Sequence, residues 1–291
     1  MTRIPESELV LNADGSVYHL NLQPDQIANT IITVGDPDRV QEVSKHFDRI
    51  DTKVQKREFV THTGEINGNR LTVIATGIGT DNIDIVFNEL DALVNIDLKT
   101  RTIKKEKTSL NFISIGTSGC MQADIPLDSF LMSTYGLGLD GLIHFYDYKY
   151  NSTELALKSD FMDYASSKIK LPIRPYFTEG SSDLISKLGA DMLKGITVTC
   201  PGFYAPQGRK LRLSLSTNDI LSALSEFSFQ GQRATNFEME TSAIYGFSNM
   251  MGHKAASCNA LIANRQLQTF SKDSKGVVQK LIQLVLDQIS S

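Results

Sequence analysis

The sequence predicts an α/β fold: a three-layer α/β/α sandwich with a mixed central sheet. Two observations carry this. Short β-branched runs alternate with helix-spaced runs along the whole chain, and no linker, repeat or low-complexity stretch interrupts the alternation. Three of the strand-like runs also end in glycine followed by small or polar residues, as strands do when they face a ligand at their carboxyl ends. Residues 1–291 are therefore read as one α/β domain.

Taken in order, "NTIITVG" (29–35) is a β-branched strand closing on glycine, and "DPDRVQEVSKHF" (36–47) sets Val40, Val43 and Phe47 at helical spacing. Asp36 is a good helix cap and Pro37 suits the first helical position. "RLTVIATG" (70–77) is a buried-strand pattern, "IDIVFNELDALV" (83–94) a helix, "LNFISIG" (110–116) a third strand and "DSFLMSTYG" (128–136) a fourth. "KGITVTC" (194–200) and "KAASCNALIA" (254–263) complete the strands, and helical patterns cover 153–169, 218–228, 241–251 and 272–289.

Composition narrows the function classes. A net charge of −4 without a basic face argues against a nucleic-acid partner. The cluster "LKTRTIKKEKTS" (98–109) reads as a solvated loop, with a partner-binding loop as the other reading. No segment approaches the ~18 apolar residues of a membrane helix. The polar N-terminus has no signal-like apolar core, and Cys120, Cys200 and Cys258 lie far apart in apolar runs. The expectation is a cytoplasmic protein with buried reduced thiols. The histidines show no metal spacing, so no metal is expected, and no GxSxG or Walker A sequence supports acyl transfer or ATP use.

Several short stretches can carry chemistry. In "GDPDR" the Gly35 amide and the Arg39 guanidinium, beside a helix N-terminus, could hold an anion. The same residues also make a routine Asp-Pro helix start. "GIGTDN" (77–82) lacks the third glycine of a dinucleotide fingerprint and reads as a close strand-to-helix turn. "GTSG" (116–119) offers amides and the hydroxyls of Thr117 and Ser118, or is a plain tight turn. In "NFEMET" Glu238 and Glu240 lie at a strand-to-helix junction, where extended chain would put both on one face. They could hold the vicinal hydroxyls of a ribose, or could simply favour the N-terminus of the helix that starts near Thr241. In "GFYAPQGR" (202–209) an amide and a guanidinium two residues apart sit beside aromatic rings in a broken turn. Gln207 and Arg209 are expected to read the edge of a flat heterocycle that Phe203 helps to enclose. His19, in "VYHLNL", is a lone histidine among apolar residues, the usual setting of a structural one.

The ordered set "GDPDRV", "KREF", "ATGIGTDN", "IGTSG", "GFYAPQGR", "NFEMET" and "ANR" resembles the uridine phosphorylase branch of the nucleoside phosphorylase family, over about residues 17–289. The resemblance implies phosphorolysis of uridine to uracil and ribose 1-phosphate, with inorganic phosphate as co-substrate and no metal or other cofactor. It implies that Gly35, Arg39 and Thr117 bind phosphate, and that Arg57 reaches the phosphate site of a neighbouring subunit. Thr117, Met239 and Glu240 would contact the ribose, and His19 would cross to the 5′-hydroxyl of a neighbouring subunit's nucleoside. Phe203, Gln207, Arg209 and Glu238 would form the uracil pocket, with Arg265 supporting Arg209. Arg209, Glu240 and Arg39 would carry catalysis. Sharing of residues between chains implies a homodimer or a trimer of dimers. The partners expected are thus a nucleoside, phosphate and further copies of the chain, with no nucleic acid and no membrane.

One position departs from the family pattern. Where an arginine normally precedes the "GT" pair by two residues, this chain has Ser114. A hydroxyl brings no charge, and charge-assisted bonds are roughly twice as strong as neutral ones. Weak phosphate binding, compensation by Arg57 or a cation of "TRTIKK", or replacement of phosphate by water as nucleophile would each follow. A nucleosidase of the same fold is therefore one alternative, and a non-catalytic nucleoside- or base-binding protein a second.

Overall fold

The computed structural model describes residues 3–290. The chain divides into two compact units. One comprises the chain up to Ser114 together with Phe247–Lys254, and the other comprises Ile115–Gly246 and Ala255–Ile289. Each contains part of a mixed sheet flanked by helices, as the alternating pattern predicts.

The first unit is built on β1 (Thr30–Val34), α1 (Pro37–Ser44), β2 (Arg49–Lys56), β3 (Phe59–Ile66), β4 (Asn69–Ala75) and α2 (Thr80–Asn95). A small pair follows, β5 (Ile96–Asp97) with β6 (Thr102–Ile103), then the start of β7 (Asn111–Cys120). Strand β1 runs parallel to β4 and to β7, while β3 is antiparallel to β4 and to β2. Strand β1 is covered on both sides in the sheet, hence its β-branched apolar run. Phe87 of α2 packs on Phe112 of β7 with ring centroids 4.2 Å apart, and both are fully buried. Each such ring contributes roughly 1.5–3 kcal/mol by leaving water.

The second unit continues β7 from Ile115 and adds β8 (Phe130–Gly138), α3 (Ser152–Lys168), β9 (Tyr176–Glu179), α4 (Ser182–Leu188) and β10 (Leu193–Thr199). Then come α5 (Ile220–Ser225), β11 (Ser228–Phe229), β12 (Gln232–Glu238), α6 (Thr241–Met251), β13 (Lys254–Asn264), β14 (Thr269–Phe270) and α7 (Ser274–Ser290). Strand β10 lies parallel to both β8 and β12, whereas β13 is antiparallel to β8. Phe161, Phe177 and Phe227 form an aromatic cluster in its core, with Phe161 in edge contact with both others.

Besides the two-residue strands β5, β6, β11 and β14, none of which was expected, the structure differs from the expected elements in four places. The hairpin β2–β3 lies where no element was expected. Strand β2 alternates exposed with half-buried residues and so carries no apolar signal. The pair β9 and α4 was also unforeseen, each being short. The "GTSG" stretch is no turn: β7 runs through it, and Gly119 and Cys120 pair with Phe237 and Asn236 of β12. Strand β12 itself was foreseen only as extended chain before α6.

One close approach sets the second unit's helix against its sheet. A Cβ on Gly136 of β8 would stand 2.6 Å from Cα of Ser242 in the first turn of α6. Backbone cannot yield there as a flexible side chain could. Gly136→Ala should therefore lower Tm by about 4 °C or more, measured by calorimetry; an unchanged Tm would show that the two elements are not held this tightly.

Candidate active site

The second unit gathers most of the candidate residues. After β10 the chain breaks into a short turn, Ala205–Gln207, that Gly208 ends at φ +71°. Glycine is suited to this left-handed position, and a Cβ there would also meet Ile220 at 2.7 Å. The turn folds back on itself: the Arg209 amide donates to the Tyr204 carbonyl at 2.8 Å. This brings the Arg209 guanidinium onto the Phe203 ring, 3.7 Å from its centroid. Its Nη1 donates to the Phe203 carbonyl at 2.7 Å and to Oε1 of Gln207. Gln207 is 2% exposed, whereas Phe203 is 50% exposed.

That contact fixes the Gln207 amide. With Oε1 turned to Arg209, Nε2 takes the other side of the amide. The groups then read guanidinium N–H, amide oxygen, amide N–H: donor, acceptor, donor. Arg265 braces the same loop by donating from Nη1 to the Gln207 carbonyl at 2.9 Å. Its own amide is tied to the Cys120 carbonyl at the end of β7. Gly119 of β7 lies against both arginines, since a Cβ there would be 3.3 Å from Cγ of Arg265 and 3.7 Å from Nη2 of Arg209. Burial, then the neighbouring Arg265, pulls the Arg209 guanidinium down to about 10. Burial likewise lowers Arg265. Two cations held together and partly out of water favour an anion beside them.

Glu238 and Glu240 part company. Glu238 is buried, and its carboxylate caps α6: Oε2 accepts from the amides of Glu240 at 2.9 Å and Thr241 at 2.7 Å, and from the Thr241 hydroxyl. Oε1 accepts from Thr199 at 2.6 Å. Burial raises its pKa even against these donors. Of the two readings the acidic pair left open, Glu238 takes the helix-favouring one: its oxygens are engaged by the helix N-terminus and by Thr199. Met239 and Glu240 are left half-buried at the start of α6. Thr117 is half-buried on β7, beside Ser118, whose hydroxyl accepts from Asn236.

The first unit holds the other candidates. Asp36 caps α1, its side chain accepting from the Asp38 amide at 3.0 Å, and Arg39 stands half-buried in the first turn after Gly35. Ser114 pairs with Thr33 across β7 and β1. Arg57 sits exposed at the tip of the β2–β3 hairpin at φ +55°, with its guanidinium 5.9 Å from the Tyr18 ring centroid. His19 meets the same Tyr18 ring edge-on at 4.9 Å. His19 and Arg57 thus share one corner of this unit. Glu89 and Tyr18, which hold that corner, were not singled out from the sequence; nothing in their local pattern marks them.

Among the described residues no group of three or more His, Cys, Asp and Glu is placed to hold a metal ion. No described helix is long and apolar enough to cross a membrane.

A family model described as "Phosphorylase superfamily" matches residues 29–290. The uridine phosphorylase of Thermococcus kodakarensis is 26% identical over 259 residues, 89% of this chain and 81% of that protein. That of Haemophilus influenzae is 27% identical over 274 residues, 93% of this chain and 96% of that protein. Among solved structures, a Trypanosoma brucei nucleoside phosphorylase described as showing uridine phosphorylase activity superposes with a TM-score of 0.88 at 26% identity, covering 97% of this chain and 100% of that one.

The paired arginines make a clear expectation. Arg209→Met removes one of two crowded cations, so Tm should stay within about 2 °C of wild type or rise. Uracil release from uridine should fall at least ~100-fold. Normal turnover in this variant would remove Arg209 from the chemistry.

Proposed function

The chain belongs to the phosphorylase superfamily, and from that premise we propose that it is a uridine phosphorylase, a pentosyltransferase that converts uridine and phosphate to uracil and ribose 1-phosphate. The observation that carries this reading is the donor–acceptor–donor row of Arg209 and Gln207. Uracil presents the complement along one edge: O4 accepts, N3–H donates and O2 accepts. Cytosine offers an amino group and a bare ring nitrogen at the first two positions, so two of three contacts would set like against like.

The chemistry follows from where charge develops. A phosphate oxygen attacks C1′ as the C1′–N1 bond breaks, and the bonding pair leaves with the base and spreads onto O2 and O4. Arg209 meets O4 and the Gln207 amide meets O2, stabilising the departing anion where it forms. The half-exposed Phe203 ring is the apolar surface available to cover the base. Met239 and Glu240 hold the ribose, with the Glu240 carboxylate gripping its hydroxyls as positive charge builds at C1′. Thr117 is given to ribose and phosphate by the family resemblance. In the first unit Gly35 and Arg39 serve phosphate, and Ser114 stands where the family has a further cation. Arg57 and His19 are the residues given to a neighbouring subunit, and their shared corner at Tyr18 fits a joint role. The working unit is then a homodimer or a trimer of dimers. Phosphate is the co-substrate and no other cofactor takes part, in a cytoplasmic protein of pyrimidine salvage.

Hydrolysis by water, the alternative that Ser114 leaves in the sequence, is not favoured, nor is a non-catalytic role. Uridine phosphorylases of Thermococcus kodakarensis and Haemophilus influenzae match over most of this chain. The test is direct. Uracil release should require phosphate and yield ribose 1-phosphate in equal amount; release at the same rate without phosphate would establish a nucleosidase instead. Restoring the cation should help: Ser114→Arg should lower the phosphate KM by about 10-fold, the value of one charge-assisted bond at ~1.5 kcal/mol. A KM that stays or rises would show that residue 114 does not face phosphate.

A further inference from the structure

In the first unit three N–H groups converge on one carboxylate. Oε1 of Glu89, on α2, accepts from the His19 amide at 2.8 Å and lies 2.7 Å from His19 Nδ1. Oε2 accepts from the Leu20 amide at 2.8 Å and from the His19 amide at 3.0 Å. The Glu89 side chain is 14% exposed and that of His19 31%. A carboxylate has no hydrogen to give, so Nδ1 must carry one. A neutral imidazole has a single N–H, which leaves Nε2 as a bare lone pair. No described residue hydrogen-bonds Nε2, while the Tyr18 ring packs edge-on against the imidazole at 4.9 Å.

Resting on the activity proposed above, we propose that Glu89 is a positioning residue: it fixes His19 in the Nδ1–H form and so presents Nε2 as an acceptor to the 5′-hydroxyl of the nucleoside. A 5′-hydroxyl can donate to that lone pair. A 5′-phosphate has oxygens with no proton to offer, and it brings negative charge toward the Glu89 carboxylate behind the ring. The pair thereby selects nucleosides over 5′-nucleotides by chemistry rather than by size. Its three contacts hold two consecutive backbone amides as well as the ring, so the imidazole's pose and tautomer are set together.

Glu89→Gln reverses the tautomer while keeping the shape. The Leu20 amide needs an acceptor, so the amide oxygen takes the place of Oε2 and the NH2 group faces Nδ1. Nδ1 must then accept, and the proton moves to Nε2. Nitrogen-15 NMR on the full chain at about pH 8, where an ordinary imidazole is neutral, should find His19 as Nδ1–H in wild type and Nε2–H in E89Q. Nε2–H in wild type, or one tautomer in both, would overturn the assignment. In kinetics, E89Q should raise the KM for uridine about 10-fold with kcat little changed, and should leave 5′-deoxyuridine unaffected. An equal loss on both substrates would mean that Glu89 only holds the fold there, and would sink its positioning role. The two layers fail separately. Absence of phosphate-dependent uracil release in wild type would refute the activity and with it the 5′-hydroxyl contact, whereas the wrong tautomer in an active enzyme would refute Glu89 alone.

Discussion

A single hydrogen bond, from the Arg209 guanidinium to Oε1 of Gln207, decides which groups the 202–209 loop can present. An amide can face either way and offers opposite chemistry in its two poses. Arg209 removes that freedom, because only the oxygen can accept from it. The loop then presents the amide N–H, and no acceptor, on the side of Gln207 away from Arg209. What holds Arg209 in place is equally specific: a ring beneath it, two carbonyl-type acceptors, and a turn that Gly208 permits by its positive φ. Arg265 and Gly119 close the other side, one by bonding the loop and the other by lacking a side chain.

The start of α6 shows the same economy with opposite charge. Glu238 takes the amides of Glu240 and Thr241, so the helix begins on a fixed carboxylate. Thr199 ties that carboxylate to β10, and the Ser242 amide in turn donates to the Thr199 hydroxyl at 2.9 Å. Ser242 and Tyr176 then both donate to Asp140, with the Tyr176 hydroxyl 2.7 Å from Oδ2. Burial, then Asp140, raises Tyr176 well above the ordinary tyrosine value, so it stays a proton donor in this chain. Glu238, Thr199, Ser242, Tyr176 and Asp140 are thus all hydrogen-bonded to one another in a chain, which in a low-dielectric interior makes the network stiff. Met239 and Glu240 inherit their position from it.

Much of the fold was legible in the sequence because its central strands are buried on both sides and its main helices carry an apolar stripe. The start of α6 at Thr241 was readable from the polar-to-apolar change there. The hairpin β2–β3 was not, since an edge strand such as "RIDTKVQK" buries no face fully and so has no apolar period to read. The "GTSG" stretch misled in the other direction: glycines suggested a turn, while the sheet uses them as places where β7 can pass close to Arg265 and Asn259. At the candidate site the sequence supplies residue types but no side-chain orientation. The "NFEMET" stretch offers both a ligand and the helix N-terminus for its acids, and only the structure shows Glu238 taking the second. Nothing near Glu89 says that it closes on a histidine 70 residues earlier.

The central claim is that the fixed Gln207 amide beside Arg209 presents a donor–acceptor–donor edge to the base. The ratio of kcat/KM for uridine to that for cytidine, measured with phosphate in excess, tests it most directly. Two like-against-like contacts in a desolvated site should give a ratio of about 10⁴ or more. A ratio within about tenfold of one would contradict the account, because a site that tolerates both bases cannot hold that amide in one orientation.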